Sequence, residues 1–148
     1  MRPLYETSKD FENEKNIQKV IEKKTNWRLT KLPKRYYLDF LAFNSNGNTQ
    51  AVIEVKRRHN NHDKYEDVIL SLAKYMQGLE YATTLGVAFL FAVEFNDGYY
   101  IHFSSSDNLK HFKITMGGRR DRQDPEDIEP VVHIPITTGF TSIKTIEL

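Results

Sequence analysis

The stretch YYLDFLAFNSNGNTQAVIEVKRR, Tyr36–Arg58, reads as two apolar strands (35–44 and 49–58) around an Asn46-Gly47 corner. Asn-Gly between alternating apolar runs is the signal of a type I′ hairpin turn. Taken literally, a two-residue turn sets Ser45 opposite Asn48, Leu41 opposite Val52, Asp39 opposite Glu54 and Tyr37 opposite Lys56. Side chains alternate along a strand, so the last three pairs share one face. The other face carries Leu38, Phe40 and Ala42 against Val55, Ile53 and Ala51 and is the expected core. Two opposed carboxylates in the middle of a hairpin destabilise it by up to about 1 kcal/mol. Burial adds to that cost, because it disfavours the charged form. A divalent cation is the economical compensation, and Mg²⁺ suits hard oxygen ligands. Lys56, on the same face, is placed to reach a metal-bound water. The competing reading is an ion pair of Lys56 with Glu54 or Asp39 on a solvent-facing strand.

Working outward, residues 8–25 are expected to be helical, with Thr7 and Asp10 as a capping box, Phe11, Ile17, Val20 and Ile21 on the buried face, and Asn26 as the stop. Glu14 falls on that apolar face, whereas Glu12 and Glu22 do not. A third acidic ligand or a water-orienting group is one reading of it, and a glutamate at the rim with its head in water is the other. Residues 27–32 alternate as a strand that Pro33 ends. Residues 63–84 carry Tyr65, Val68, Ile69, Leu72, Met76 and Leu79 at helical spacing, up to Gly86. Residues 87–95 read as a strand buried on both faces, and 99–103 as the next strand after the Asn96-Asp97-Gly98 turn. Residues 116–130 read as an exposed charged loop, and 131–136 and 140–148 as short strands.

The 148 residues suit a single domain, here 1–148, with a core over about 8–103 and a β-rich extension over about 104–148. There is no cysteine, which excludes a disulfide scaffold or a cysteine-based zinc site. No apolar run approaches the roughly 20 residues that span a bilayer. No membrane partner and an intracellular, cytoplasmic location are the expectation. The net charge of +1 hides an asymmetry: residues 1–75 carry 15 Lys/Arg against 10 Asp/Glu, and the rest 6 against 10. The basic half is the half that holds the hairpin, which permits a polyanionic partner without demanding one.

Glu14 on a first helix, Asp39 on a second strand and Glu54-Val55-Lys56 on a third resemble the PD-(D/E)XK nuclease superfamily over residues 8 to about 103. The resemblance implies a restriction-endonuclease-like α/β fold with an α-β-β-β-α-β core. It implies phosphodiester hydrolysis with Mg²⁺ or Mn²⁺ held by Asp39, Glu54 and the Val55 carbonyl. Lys56 would position or deprotonate the attacking water, and Glu14 would complete the outer shell. It also implies a homodimer or larger homo-oligomer. Two departures stand out: Leu38 precedes Asp39 where a proline is common, and helical phasing puts Tyr75 in the place of the glutamine that often faces the site, with Lys74 and Gln77 pointing away.

Arg58 shares the face of Lys56 and is a candidate phosphate contact, as are Arg57, Lys34 and Arg35 near the same strand ends and Arg119, Arg120 and Arg122 in the Gly-rich loop. Solvated termini and a self-paired loop explain these residues about equally well. His59 and His62 allow a zinc pair, but they sit in what reads as a hydrophilic connector. His102 and His133 read as structural. The expected function is a metal-dependent endonuclease acting on double-stranded or branched DNA, of site-specific (homing), branched-DNA or replication-repair type. Two rivals remain: a nuclease-like fold that binds nucleic acid without cutting, and an accessory protein whose acidic tail binds another protein.

Overall fold

The computed structural model describes residues 8–117 and 128–146; Thr7, the Asp10 side chain and Arg119, Arg120 and Arg122 lie outside them. Helix α1 (Ser8–Thr25) is followed by β1 (Arg28–Lys31), a 3-10 turn (Lys34–Tyr36), β2 (Phe40–Phe43), β3 (Thr49–Arg57) and β4 (Asp67–Ser71). Then come α2 (Leu72–Leu85), β5 (Ala88–Phe95), β6 (Gly98–Ser104), α3 (Ser106–Leu109), β7 (Lys113–Gly117), β8 (Glu129–Pro135), α4 (Ile136–Gly139) and β9 (Thr141–Ser142). The main sheet has the order β1-β2-β3-β5-β6-β9, and a smaller one the order β4-β8-β7. Only β3 and β5 pair in parallel within the main sheet, as a helical crossover between them requires.

The main sheet is buried on both faces. On one, Ile17 and Ile21 of α1 pack on Phe40, Ala42, Ile53, Val55, Leu90 and Ala92. On the other, Val52, Phe89, Phe91 and Val93 meet α2 and the inner residues of the small sheet, Val68, Leu70, Val132 and Ile134. Helix α2 thus lies between the sheets, against β3 and β5 on one side and β4 and β8 on the other. Continuous apolar sequence in β5 is the signature of this two-sided burial.

Helix α1 ends where expected: Asn26 takes a left-handed φ of 61° and its N–H donates to the Glu22 carbonyl at 2.8 Å. Phe11, however, is half out of the core at 39% exposure, one turn before the helix meets the sheet. The hairpin turn differs from the expected type I′. Gly47 (φ 81°) donates to the Asn44 carbonyl at 3.0 Å, and Asn44 Oδ1 accepts from Asn46 and Asn48. Asn46 keeps a negative φ, so the loop is one residue longer on the β2 side. A compensating irregularity near Gln50 restores the register, and Phe40↔Ile53, Leu41↔Val52 and Ala42↔Ala51 pair as the literal turn requires.

Two further expectations fail. Residues 67–71 are a strand, not the first turns of a helix: Val68 and Leu70 are buried, Ile69 is exposed, and all pair with β8. Val68 and Ile69 are β-branched, and a partner strand more than sixty residues away decides the matter. Helix α2 starts only at Leu72, where Ser71 Oγ accepts from the Lys74 N–H at 3.4 Å, and it ends on Gly86 at φ 69°. Upstream of β2, the chain makes a 3-10 turn and Tyr37 adopts φ 68°, a conformation that strains a bulky residue. Tyr37 therefore does not face Lys56, and Leu38 turns into the core on the α2 side instead of joining Phe40. Of the described residues 140–146, only Thr141–Ser142 form a strand, at the edge of the main sheet beside β6; 147–148 lie outside the described residues.

The approach of α2 to β5 is set by Gly78. A Cβ there would stand 2.4 Å from the Phe89 ring, which is itself buried and held edge-on to Tyr75. Gly78→Ala is expected to destabilise the protein by about 1–3 kcal/mol, the usual cost of overpacking. Urea unfolding checks it; a midpoint equal to wild type would show that the helix moves away without cost.

Candidate active site

Strand β2 begins at Phe40, so beyond Ile53 strand β3 has no backbone neighbour on that side. The exposed ladder position is taken by a side chain: Asp39 Oδ2 accepts the Val55 N–H at 2.8 Å. The Asp39 N–H donates to the Ile53 carbonyl at 3.1 Å and its carbonyl accepts from Leu32 at 2.8 Å, which fixes the residue from three directions. Glu54, one position before Val55, points to the α2 side and is 1% exposed. The alternation that makes Val52 core makes Glu54 and Lys56 its neighbours on the same face.

Lys74, from the first turn of α2, donates to Glu54 Oε2 at 3.0 Å. This reverses the sequence expectation for α2. Because the helix begins at Leu72, its phase is set by the Ser71 cap, and Lys74 faces the site. Tyr75 points into the core; its hydroxyl is 3.0 Å from His102 Nε2 and also accepts from the Ser105 N–H. The neighbouring His102 Nδ1 is 2.7 Å from the Gly139 carbonyl, and burial holds the ring's pKa below its usual value. Nδ1–H therefore donates to Gly139, and Tyr75 donates to Nε2. Tyr75 and His102 together pin α2 to β6 and α4.

Glu14 reaches the site around the edge of the sheet, through Lys31. The Lys31 ammonium lies 2.8 Å from Glu14 Oε2 and 3.1 Å from Asp39 Oδ1. Neither Lys31 nor Lys74 stands out in the sequence. Lys31 could have been found from the alternation of β1, which pairs it with Phe40 next to Asp39. Lys74 required the true start of α2.

The electrostatics follow from burial. Desolvation and the Asp39 charge push Glu54 up to about 7, against the pull of Lys74 and Lys56. Desolvation and Asp39 likewise push Glu14 up to about 8. Burial acts upward on Asp39 too, but the Val55 N–H and Lys31 outweigh it and hold its carboxyl low. Burial and the Lys74 charge depress Lys56, while Glu54 raises Lys74. Glu54 Oε1 is buried with no hydrogen-bond partner among the described residues. An orphaned carboxylate oxygen beside a second, low-pKa carboxylate is a donor set that fits a hard divalent cation.

Of the basic candidates, Arg58 is held at the site's end by a 3.2 Å bond from Nη2 to the Ile69 carbonyl, and burial lowers its pKa. Arg57 turns to the other side, to the Glu94 carboxylate and carbonyl and, at 2.8 Å, Asn96 Oδ1. Lys34 lies over the Phe11 ring at 5.3 Å, and Arg35 is exposed. His62 comes together not with His59 but with Asp63 and with Asp97, whose Oδ2 lies 2.6 Å from its Nδ1. His133 is built into the small sheet against Thr115 Oγ1 at 2.7 Å.

Acids whose pKa is raised by folding stabilise the folded state fully below the unfolded value, and that contribution is lost as pH rises through the folded one. For Glu54 and Glu14 the window runs from about 4.5 to about 7 and 8. His102, with a lowered pKa, acts in the opposite direction below 6.5. The metal-free Glu54→Gln protein should therefore gain in melting temperature over wild type as pH rises from 4.5 to 8. Thermal unfolding in EDTA across that range checks it; a difference independent of pH would exclude a buried titrating Glu54.

The sequence profile of the family described as phage putative PDDEXK endonuclease matches residues 1–143. None of the curated proteins matches the chain. Among solved structures, the fold resembles that of Archaeoglobus fulgidus Hjc, described as a Holliday junction resolvase from an archaeal hyperthermophile. The TM-score is 0.60 at 15% identity, over 95% of this chain and 100% of that one. The fold is accordingly restriction-endonuclease-like, and nucleases of this superfamily use divalent metal ions. With the profile spanning nearly its whole length, the chain belongs to the phage PDDEXK endonuclease family.

Proposed function

We propose that the protein is a Mg²⁺- or Mn²⁺-dependent deoxyribonuclease that cuts DNA phosphodiester bonds internally, with its site at Asp39, Glu54, Lys56 and Glu14. The observation that carries this reading is the unpartnered, buried Glu54 Oε1 beside the anchored Asp39. Asp39, Glu54 and the Val55 carbonyl are the groups that would hold the cation. Bound there, it would acidify a water and offset charge growing on the phosphate oxygens.

The chain's own residues then have separate tasks. The Val55 N–H fixes the orientation of the Asp39 carboxylate, and Lys31 ties that carboxylate to Glu14. Lys74 balances the charge of Glu54 from α2. The Lys56 side chain makes no hydrogen bond among the described residues, and its pKa is depressed by burial and by Lys74. Its amine can orient the attacking water and take or return a proton more readily than a lysine in solvent. Hydrolysis forms a bond from the water oxygen to phosphorus and breaks one to the leaving oxygen, which takes up a proton. Arg58, just past the end of β3 and tied to the Ile69 carbonyl, is placed to meet a neighbouring phosphate.

A single site cuts one strand, so a homodimer or larger assembly is the proposed form for cutting duplex DNA. Branched DNA belongs among its candidate substrates, since the structural neighbour is described as a Holliday junction resolvase.

Supercoiled plasmid, linear duplex, single strands and a four-way junction, incubated with Mg²⁺, Mn²⁺ or EDTA, test the proposal. Cutting is expected with metal only. Asp39→Ala, Glu54→Ala and Lys56→Ala should each lower the rate by about a hundredfold or more. DNA bound in EDTA but never cut in metal would point to a binding module instead.

A further inference from the structure

The turn before Asp39 carries two adjacent aromatic rings in water. Tyr36 is 50% exposed and Tyr37 60%, in the sequence Lys34-Arg35-Tyr36-Tyr37. Neither ring makes a hydrogen bond, an aromatic contact or a cation–π contact among the described residues. The backbone holds them out: Tyr36 and Tyr37 donate to the Pro33 and Lys34 carbonyls, and Tyr37 sits at φ 68°. Leu38, immediately after, is anchored in the core at 2% exposure. A bulky residue kept in the left-handed region, where glycine or asparagine would rest without strain, is a feature of sites with a job. Tyr37 is only two residues from Asp39, within about 7–8 Å of chain.

We propose that Tyr36 and Tyr37 form a stacking platform for unstacked nucleobases of the strand being cut, so that the enzyme favours DNA whose bases are open at the cleavage point over continuous duplex. This rests on the nuclease reading above and specifies its substrate. Every base has a π-face, so stacking on tyrosine accepts any sequence while requiring that the base be out of its helix. In continuous B-form duplex the bases are stacked on each other and offer no face. A branch point, a flap or a single strand offers one. The cations beside the platform suit the phosphates of the same strand: Lys31 is at the site itself, and Arg35 is exposed next to Tyr36.

The test measures binding in EDTA, where nothing is cut, to two DNAs of the same sequence carrying 2-aminopurine at the same position. One is a continuous duplex; the other places the analogue in a single-stranded flap. Wild type should bind the flap more tightly and quench its fluorescence. Tyr36→Ala and Tyr37→Ala should each weaken flap binding about tenfold and reduce the quenching, and leave duplex binding within about twofold. The two Phe variants should match wild type. Tyr37→Gly should melt higher than Tyr37→Ala, since its backbone suits the turn, yet bind the flap as weakly. Equal losses on both DNAs, or a Phe variant as weak as Ala, overturns the platform. Cutting in Mg²⁺ or Mn²⁺ is scored separately. Wild type that cuts while the Ala variants bind flap normally defeats the platform alone. Wild type that never cuts but discriminates through the tyrosines defeats the nuclease reading alone.

Discussion

One hydrogen bond organises the site: the Val55 N–H to Asp39 Oδ2, at 2.8 Å. It exists because β2 is short. A strand continuing back through Asp39 in regular pairing would direct the ladder to backbone carbonyls and leave the carboxylate to face Glu54 without an anchor. The chain instead reaches Asp39 out of a 3-10 turn and a left-handed tyrosine, and the side chain stands in for the missing strand. An unpaired buried N–H is costly, so the aspartate satisfies the sheet in the same contact that fixes its orientation. From this follow the proximity of Asp39 to Glu54, the reach of Lys31 from β1, and the reversal that sends Leu38 into the opposite core.

The charges around that bond do not reach full ionisation by Coulomb attraction alone. Three carboxyl groups, Glu14, Asp39 and Glu54, face Lys31, Lys56 and Lys74, yet both glutamates are pushed up and Lys56 down. Desolvation is the largest influence on each. Asp39 escapes it because a backbone N–H and an ammonium act on it together, and hydrogen bonds to the charged form are the strongest means of keeping a buried carboxylate ionised. The fold therefore holds one committed anion beside two glutamates pushed up to about 7 and about 8, a pattern of perturbed groups common at functional sites.

Much of this was legible in the hairpin sequence, for reasons that can be named. The register of β2 on β3 survives although the turn is not the expected one, because an extra loop residue and the irregularity at Gln50 cancel, and Asp39, just before β2, still comes beside Glu54. Register in a half-buried hairpin is set by which face is apolar, and a one-residue slip would bury the wrong side. Glu14 was visible from helical phase, since α1 is long and regular. What failed lay where local pattern and distant pairing disagree. Val68, Ile69 and Leu70 fit a helix by spacing and become a strand because β8 lies beside them. A helix running through 67–71 would put Tyr75 at the site and Lys74 away from it; with α2 starting at Leu72, Lys74 reaches Glu54 and Tyr75 enters the core. Lys74 lies four residues past Leu70, the last buried residue of β4, and the Ser71 cap between them decides its direction.

The layering of the site bears on how a polyanion can approach three carboxyl groups at all. Glu54 is 1% exposed, and the Glu14 and Asp39 side chains are each 15% exposed. The cations that touch them, Lys31 and Lys74, are 34% and 32% exposed. An incoming strand meets ammonium groups first and carboxylates behind them. At the few ångströms that separate such groups, position decides sign, because the outer charge is felt through less intervening protein and before the inner one. The acids can thus sit close together behind cations that a polyanion meets first. The same layering gives two lysines outside the signature motif a structural role: Lys31 and Lys74 partner the carboxylates and are more exposed than the acids they touch.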